Sequence, residues 1–351
     1  MNKIKNQKNV VSRRQFIGTS VLAATGITAG VHSVFGAPAI LKSYAKPNSL
    51  INGVQIGVIT YSFRSLPDQS AEATLKYVTD CGISAIELMG EPAESYAGIP
   101  ESTVDRRAFF GLMRKSREGG ELTDDEKKQM EDMRVQMDSY NKEVQAWRNT
   151  VSMDKFKDIK KMYANAGVKI YAFKPSAFGP RNTDAEMDYG FRAAKALGAS
   201  HVTLEHPSDD QRTKILGDLG AKHKIYVAYH GHEQQTPTFW DTALGQSKYN
   251  ALNLDAGHYL AAGNPPVIDL INAKHDRIMS MHMKDRQKPE NGKGNLPWGE
   301  GDTPIRDILQ LMSAKKYKFP ATIELEYQVP DSSDPVTEVK KCLEYCKNAF
   351  A

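Results

Sequence analysis

Eight short apolar runs alternate with helix-patterned stretches from residue 54 to residue 348, and this alternation constrains the fold more than any motif does. The runs are VQIGVITYSF (54–63), ISAIELMG (83–90), VKIYAFKP (168–175), SHVTLEHP (200–207), IYVAYHGH (225–232), YNALNLD (249–255), RIMSMHMKD (277–285) and ATIELEY (321–327). Parallel strands must be joined by a crossover, usually a helix, so strict alternation favours a parallel sheet. Eight repeats select a closed ring over an open doubly wound sheet. The expected class is α/β, a (β/α)8 TIM barrel. No GxGxxG or GxxxxGK[ST] follows any run, so nothing cradles a nucleotide phosphate.

One stretch breaks the rhythm. Residues 91–150 are polar, highly charged and helix-prone, with ELTDDE at 121–126 as a helix start. They read as a helical insertion after strand 2. Charge of this kind is that of a solvated helix face, with a lid or a homo-oligomer contact as the functional alternative.

The formal charge of +4 sits at one end. Residues 1–39 hold Lys3, Lys5, Lys8, Arg13 and Arg14 and no acid, which leaves 41 basic against 42 acidic residues in the remainder. A near-neutral body gives no electrostatic case for nucleic acid. The end itself, with SRRQFIG, a mostly apolar stretch from Val21 to Phe35 and then Ala37-Pro38-Ala39, reads as a twin-arginine-type signal peptide. An uncleaved anchor is the alternative reading. The expected organisation is a signal over 1–39, a polar linker over 40–52 and a barrel domain over 53–351, acting in the periplasm. No later run is long enough to span a bilayer. Three cysteines, Cys81, Cys342 and Cys346, are an odd count and imply no disulfide framework. Cys342 and Cys346, one helical turn apart, read as a chance pair, a core edge or a local bridge.

The runs end on chemistry. Their tips carry Glu87, Lys174, Glu205, His230 and His232, Asp255 and His258, His282 and Lys284, and Glu324 and Glu326. A parallel barrel gathers such groups at its C-terminal mouth. Carboxylates mixed with imidazoles suit a divalent cation such as Mn, Co, Zn, Fe, Ni or Mg, and the lack of thiolates argues against a closed structural zinc site. Two choices stay open. Glu326 shares a face with Glu324 by the two-residue period of a strand, with Glu324 favoured as the deeper of the two. His230 and His232 pose the same choice.

LDAGH (254–258), MHMKD (281–285), the YHGH before them and IELEY after them, in that order, resemble the xylose isomerase-like barrel superfamily of sugar isomerases and epimerases, inosose dehydratase and, more distantly, endonuclease IV. The likeness spans roughly residues 54–349. It implies a metal bound by Asp255, His282 and Glu324, with His258 as a substrate contact. Epimerases of this family often carry a Glu at the fifth strand, where this chain has His230, and YHGH resembles members that act by dehydration or elimination. Glu205, one strand earlier, is then the candidate for the missing carboxylate, as ligand or base.

The function expected is a divalent-metal-dependent isomerase or epimerase that removes a proton next to a carbonyl of a free sugar or keto-sugar. Glu205 or Glu324 is the base, and His232 or His258 the second proton-handling group. Lys174 is a clamp, a hydrogen-bond donor or a base. Glu87 and Lys284 are further polar contacts, and Tyr61, Phe63 and Trp298 are candidates to stack on a sugar face. The alternatives are a lyase or dehydratase on 3-keto-glycosides or inososes, and a sugar-binding barrel without chemistry.

Overall fold

Leu50–Ile51 forms a short strand, β1, that turns back antiparallel onto β2 (Val54–Ile59). The turn is Asn52-Gly53, both at positive φ (45° and 83°), the backbone that a two-residue hairpin of this twist requires. The computed structural model describes residues 46–351, so the segment read as an export signal lies outside the described residues. The stretch expected to be linker therefore ends in a strand. Among the described residues no helix is long and apolar enough to cross a membrane.

The remaining barrel strands are β3 (Ala85–Met89), β4 (Lys169–Lys174), β5 (His201–Glu205), β6 (Tyr226–His230), β7 (Asn250–Asp255), β8 (Ile278–Met283) and, after the small ladder of β9 (Asp285–Arg286) and β10 (Asn295–Leu296), β11 (Ala321–Ile323). Every barrel pair is parallel, and β2 contacts both β3 and β11, which closes the ring of eight. Helices α1 (Ala71–Asp80), α2 (Gly90–Tyr96), α3 (Arg106–Arg117), α4 (Asp124–Thr150), α5 (Asp154–Asn165), α6 (Asp184–Leu197), α7 (Asp210–His223), α8 (Asp241–Gln246), α9 (Ala256–Ala261), α10 (Val267–Lys274), α11 (Ile305–Lys315) and α12 (Pro335–Asn348) fill the connections.

The strands divide their residues between two kinds of surroundings. Val54, Ile56 and Val58 of β2, Ile86 and Leu88 of β3, Leu252 and Leu254 of β7, and Met281 and Met283 of β8 belong to the main apolar core. Burying each such side chain contributes about 1.5–3 kcal/mol. Their alternate neighbours are polar yet fully buried: Glu87, His201, Thr203, Asn253, Asp255, Ser280, His282 and Thr322. Within the ring they satisfy one another across strands. Thr203 donates to Glu87 (2.5 Å), His201 Nε2 lies 3.0 Å from Ser280 Oγ, Ser280 donates to Asn253 (3.1 Å), and Tyr171 and Thr322 share a hydrogen bond (2.7 Å). Room for the Tyr171 ring comes from Gly57, where a Cβ would lie 2.6 Å from the phenol oxygen.

The insertion after β3 is helical. Thr123 and Glu126 cap α4 reciprocally, each side chain bonding the other's backbone N–H. Val104, Phe109 and Met133 form a small separate core between α3 and α4. At its far end α4 is tied down by Arg148, which is 4% exposed and donates to Glu186 of α6 (3.0 Å) and Ser176 (2.9 Å), with Glu94 of α2 3.7 Å away. Cys342 and Cys346 are free thiols on the buried face of α12, inside the main core, and no local bridge joins them.

Candidate metal centre

Asp255 ends β7 and begins α9, and its two oxygens have different tasks. Oδ1 accepts the His258 backbone N–H (2.7 Å) and caps the helix, while Oδ2 lies 2.9 Å from the Lys284 ammonium. Gly257 is needed in that turn, since a Cβ there would press on the Lys284 carbonyl oxygen at 2.8 Å. Around Asp255 stand His230 at the tip of β6, His282 on β8 and Glu324 just past β11. All four are buried, and they offer ligand atoms within 4.8 Å of one another.

His282 is oriented from behind. Its Nε2 lies 2.8 Å from Glu87 Oε2, and an ionised carboxylate only accepts, so Nε2 carries the hydrogen and Nδ1 faces the cluster. Nδ1 comes within 2.7 Å of Glu324 Oε2, an ion pair when the ring is protonated. Burial opposes protonation of His282, but Glu324 and Glu87 outweigh it and hold its pKa up at about 10. Burial likewise acts against ionisation of Glu324, which Lys284 and His282 nevertheless hold well below the usual carboxylate range. Burial lifts Asp255, and Lys284 offsets part of that. His230 is kept neutral mainly by burial, with His282 and Lys174 adding to the effect.

These donors fit a divalent cation. Asp255 Oδ2, His282 Nδ1 and Glu324 Oε2 lie side by side, and among the described residues they meet only through ion pairs with one another and with Lys284. A divalent ion held there would be bound by all three, with His230 in reach as a fourth ligand. The carboxylate behind His282 is the outer support that metal-bound imidazoles commonly have. We expect Glu87→Gln to weaken metal binding about 10- to 100-fold, because Thr203 and His282 bond different oxygens of Glu87 and the amide turns one of these acceptors into a donor. Titration against a competing chelator measures this, and unchanged affinity removes Glu87 from the role.

Lys284 is the other cation of the site. Its Nζ donates to Glu326 (2.8 Å) and lies 2.9 Å from Asp255 Oδ2 and 2.8 Å from Glu324 Oε2. Glu326 is thus Lys284's acceptor and stands outside the four converging side chains, of which Glu324 is one. His230, fully buried, is in the group, whereas His232 is exposed at the rim.

A second cluster joins His230, His232 and His258. Arg286 Nη1 lies 2.5 Å from His258 Nδ1, and a guanidinium can only donate, so Nδ1 accepts and the ring hydrogen sits on Nε2. Burial, reinforced by Lys284, pushes the His258 pKa down to about 3, against the pull of Glu326. His258 therefore offers a neutral N–H, not a lone pair, at Nε2, which lies 3.6 Å from Glu326 Oε2. Arg286 follows MHMKD directly and was not among the residues singled out by sequence. Its signal was an arginine one residue past a strand tip already read as functional.

The other expected residues distribute as follows. Glu205, half exposed, pairs with Lys174 (2.9 Å) and lies 3.7 Å from His232, apart from the converging donors. Its expected place as a ligand is therefore replaced by a place at the rim, because it sits one strand layer above Thr203. Glu87 is not a surface for substrate: it is 0% exposed beneath His282. Phe63 is not available for stacking either. A 3-10 turn over Thr60–Phe63 carries it into the core against Tyr77. Tyr61 is 39% exposed, with Arg64 4.3 Å from its ring centroid. Trp298 lies edge-on to Tyr345 in the loop that Asp285 holds through the N–H groups of Gly299 and Gly301.

Fold and site together define a closed parallel (β/α)8 barrel whose C-terminal mouth collects imidazoles and carboxylates. The family model of the xylose isomerase-like TIM barrel matches residues 135–349, well over half of the chain, and the chain belongs to that family. Solved structures agree on the fold. An uncharacterised protein from Parabacteroides distasonis is 19% identical with a TM-score of 0.52, covering 84% of this chain and 99% of its own. The probable 3-DHS dehydratase AsbF from Bacillus anthracis is 15% identical with a TM-score of 0.53, covering 83% of this chain and 97% of its own. The 3-keto-D-glucoside 4-epimerase YcjR from E. coli is 11% identical with a TM-score of 0.52, covering 84% of this chain and 99% of its own. No curated protein matches the chain in sequence.

Proposed function

We propose that the chain is a divalent-metal-dependent enzyme that moves a proton next to a carbonyl group of a free sugar or keto-sugar, giving an isomer or epimer. The observation that carries this reading is the convergence of buried ligand atoms of His230, Asp255, His282 and Glu324 at the barrel mouth. A divalent ion held there supplies polarisation of a substrate carbonyl oxygen. Glu205, fixed by Lys174 and reachable from solvent, is the base, and His232 beside it is the group positioned to pass the proton on. His258 directs its Nε2 hydrogen at a substrate oxygen, and Lys284 balances the negative charge of Asp255, Glu324 and Glu326.

The second reading is elimination, as in a lyase or dehydratase acting on a keto-glycoside or inosose. Two observations favour it. The β6 tip bears His230 where a two-carboxylate proton exchange needs an acid, and His258 can hydrogen-bond a departing hydroxyl. The names of the similar structures include both an epimerase and a dehydratase, and they support either branch. The twin-arginine pattern in residues 1–39 supports action in the periplasm on unphosphorylated sugars.

Incubating the metal-replete protein with keto-sugars in D2O tests the reading. Deuterium is expected at the carbon beside the carbonyl. An epimer or isomer as product supports the first branch and an alkene the second. Stoichiometric metal and sugar binding with no exchange and no product would make the chain a binding module and end the enzymatic reading.

A further inference from the structure

A cleft of about 1260 Å³ lies beside the barrel mouth, between α4 on one side and the segments that follow β3 and β4 on the other. One of its walls belongs to the insertion. The floor is built from buried charge: Arg148 bridges Glu186 and Ser176, Ser176 lies 3.4 Å from Glu94, and Tyr189 donates to Glu94 (3.1 Å). These contacts tie the end of α4 to α2, α6 and the β4–α6 loop, so the cleft is a standing feature of the fold. Arg148, only 4% exposed, lines it and keeps an Nε without a partner among the described residues.

The cleft meets the candidate metal centre at Lys174. That residue ends β4, lines the cleft, and bonds Glu205 at the rim of the barrel mouth. Met89 and Gly90, two and three residues beyond Glu87, line it as well. A pocket for a drug-sized ligand typically measures roughly 300–1,000 Å³, so this space exceeds the need of one sugar ring.

Resting on the function proposed above, we propose that the cleft is a distal subsite for the second sugar or other polar aglycone of a glycoside whose reacting ring lies at the metal centre. Its lining fits a neutral polyhydroxylated group better than an anion. The acids Glu91, Glu101 and Asp138 stand against the bases Lys142 and Arg181, while Arg148 is already matched by Glu94 and Glu186. Ser95, Asn141 and Gln145 add hydroxyl and amide groups that both donate and accept, as sugar hydroxyls require.

Asn141, Gln145 and Arg148 share one face of α4 by helical spacing, and Asn141 is exposed, so Asn141→Trp fills the cleft without entering a core. The test is calorimetric binding of D-glucose, cellobiose, maltose, trehalose and phenyl β-D-glucoside to the metal-loaded protein. At least one glycoside is expected to bind tenfold or more tightly than glucose, and Asn141→Trp is expected to bring that ratio below twofold with metal content intact. Asn141→Ala, which widens the cleft, keeps the preference. Glucose binding with no glycoside preferred, or a preference that survives Asn141→Trp, overturns the subsite alone. Failure of every sugar to bind, joined with no deuterium exchange, overturns the subsite and the proposed function together.

Discussion

Replacing His282 by alanine is expected to abolish stoichiometric binding of a divalent metal and, with it, deuterium exchange into any keto-sugar. The imidazole supplies one of four buried ligand atoms that lie within 4.8 Å of one another. Losing it should cost well over the roughly 100-fold that loss of an outer support costs. Alanine also strands Glu87, whose buried carboxylate keeps Thr203 but loses the ring N–H at 2.8 Å. A companion variant therefore separates folding from binding. Asp255→Asn retains the volume and the Oδ1 cap of α9 while removing the charge. Metal content by elemental analysis, with circular dichroism as the folding control, decides the matter. If both variants are folded and hold one metal as tightly as the parent, these residues are not its ligands.

The second large effect concerns stability without metal. Lys284 is 2% exposed, and burial acts against its ammonium, yet Asp255, Glu324 and Glu326 together hold its pKa above the ordinary value. Lys284→Met removes the positive charge and leaves those three carboxylates facing one another. Removing one partner of a buried ion pair costs about 3–5 kcal/mol, and the metal-free variant is expected to lose that much. A divalent ion brings positive charge to the same oxygens and stabilises only the folded chain, so saturating metal should restore much of the loss. Urea unfolding with and without chelator measures both. A metal-free Lys284→Met protein as stable as the parent would show that Lys284 balances nothing.

The barrel was legible in the sequence because each stave repeats the same contrast. Parallel strands covered on both sides usually read as unbroken apolar runs. Here MSMHM and IELEY alternate, because one side meets helices and the other a polar interior, and the alternation marks both strand and site. What escaped was local or remote. Asn52-Gly53 is a hairpin signal, but a two-residue strand beside it has no periodicity to confirm it. The helix after Asp255 has six residues, too few for a helical pattern to declare itself. Phe63 was expected to continue a strand, and the 3-10 turn rotated it inward. Glu87 was visible as a strand tip, but its partner His282 lies 195 positions away across the ring, and nothing in local sequence encodes that pairing. Glu205 shows the converse: a tip position gives height along the barrel, not reach towards its axis.

The polar contacts inside the ring bear on how the chain finds its closure. Thr203 needs Glu87 two staves away, Tyr171 needs Thr322 three staves away, and Ser280 needs both His201 and Asn253. An all-aliphatic interior would accept a strand inserted in the wrong order with little complaint. In this chain each misplaced stave would carry orphaned hydroxyls or imidazoles into a dry space, at about 1–3 kcal/mol apiece. The interior thus proofreads the assembly of the barrel that it also equips for chemistry.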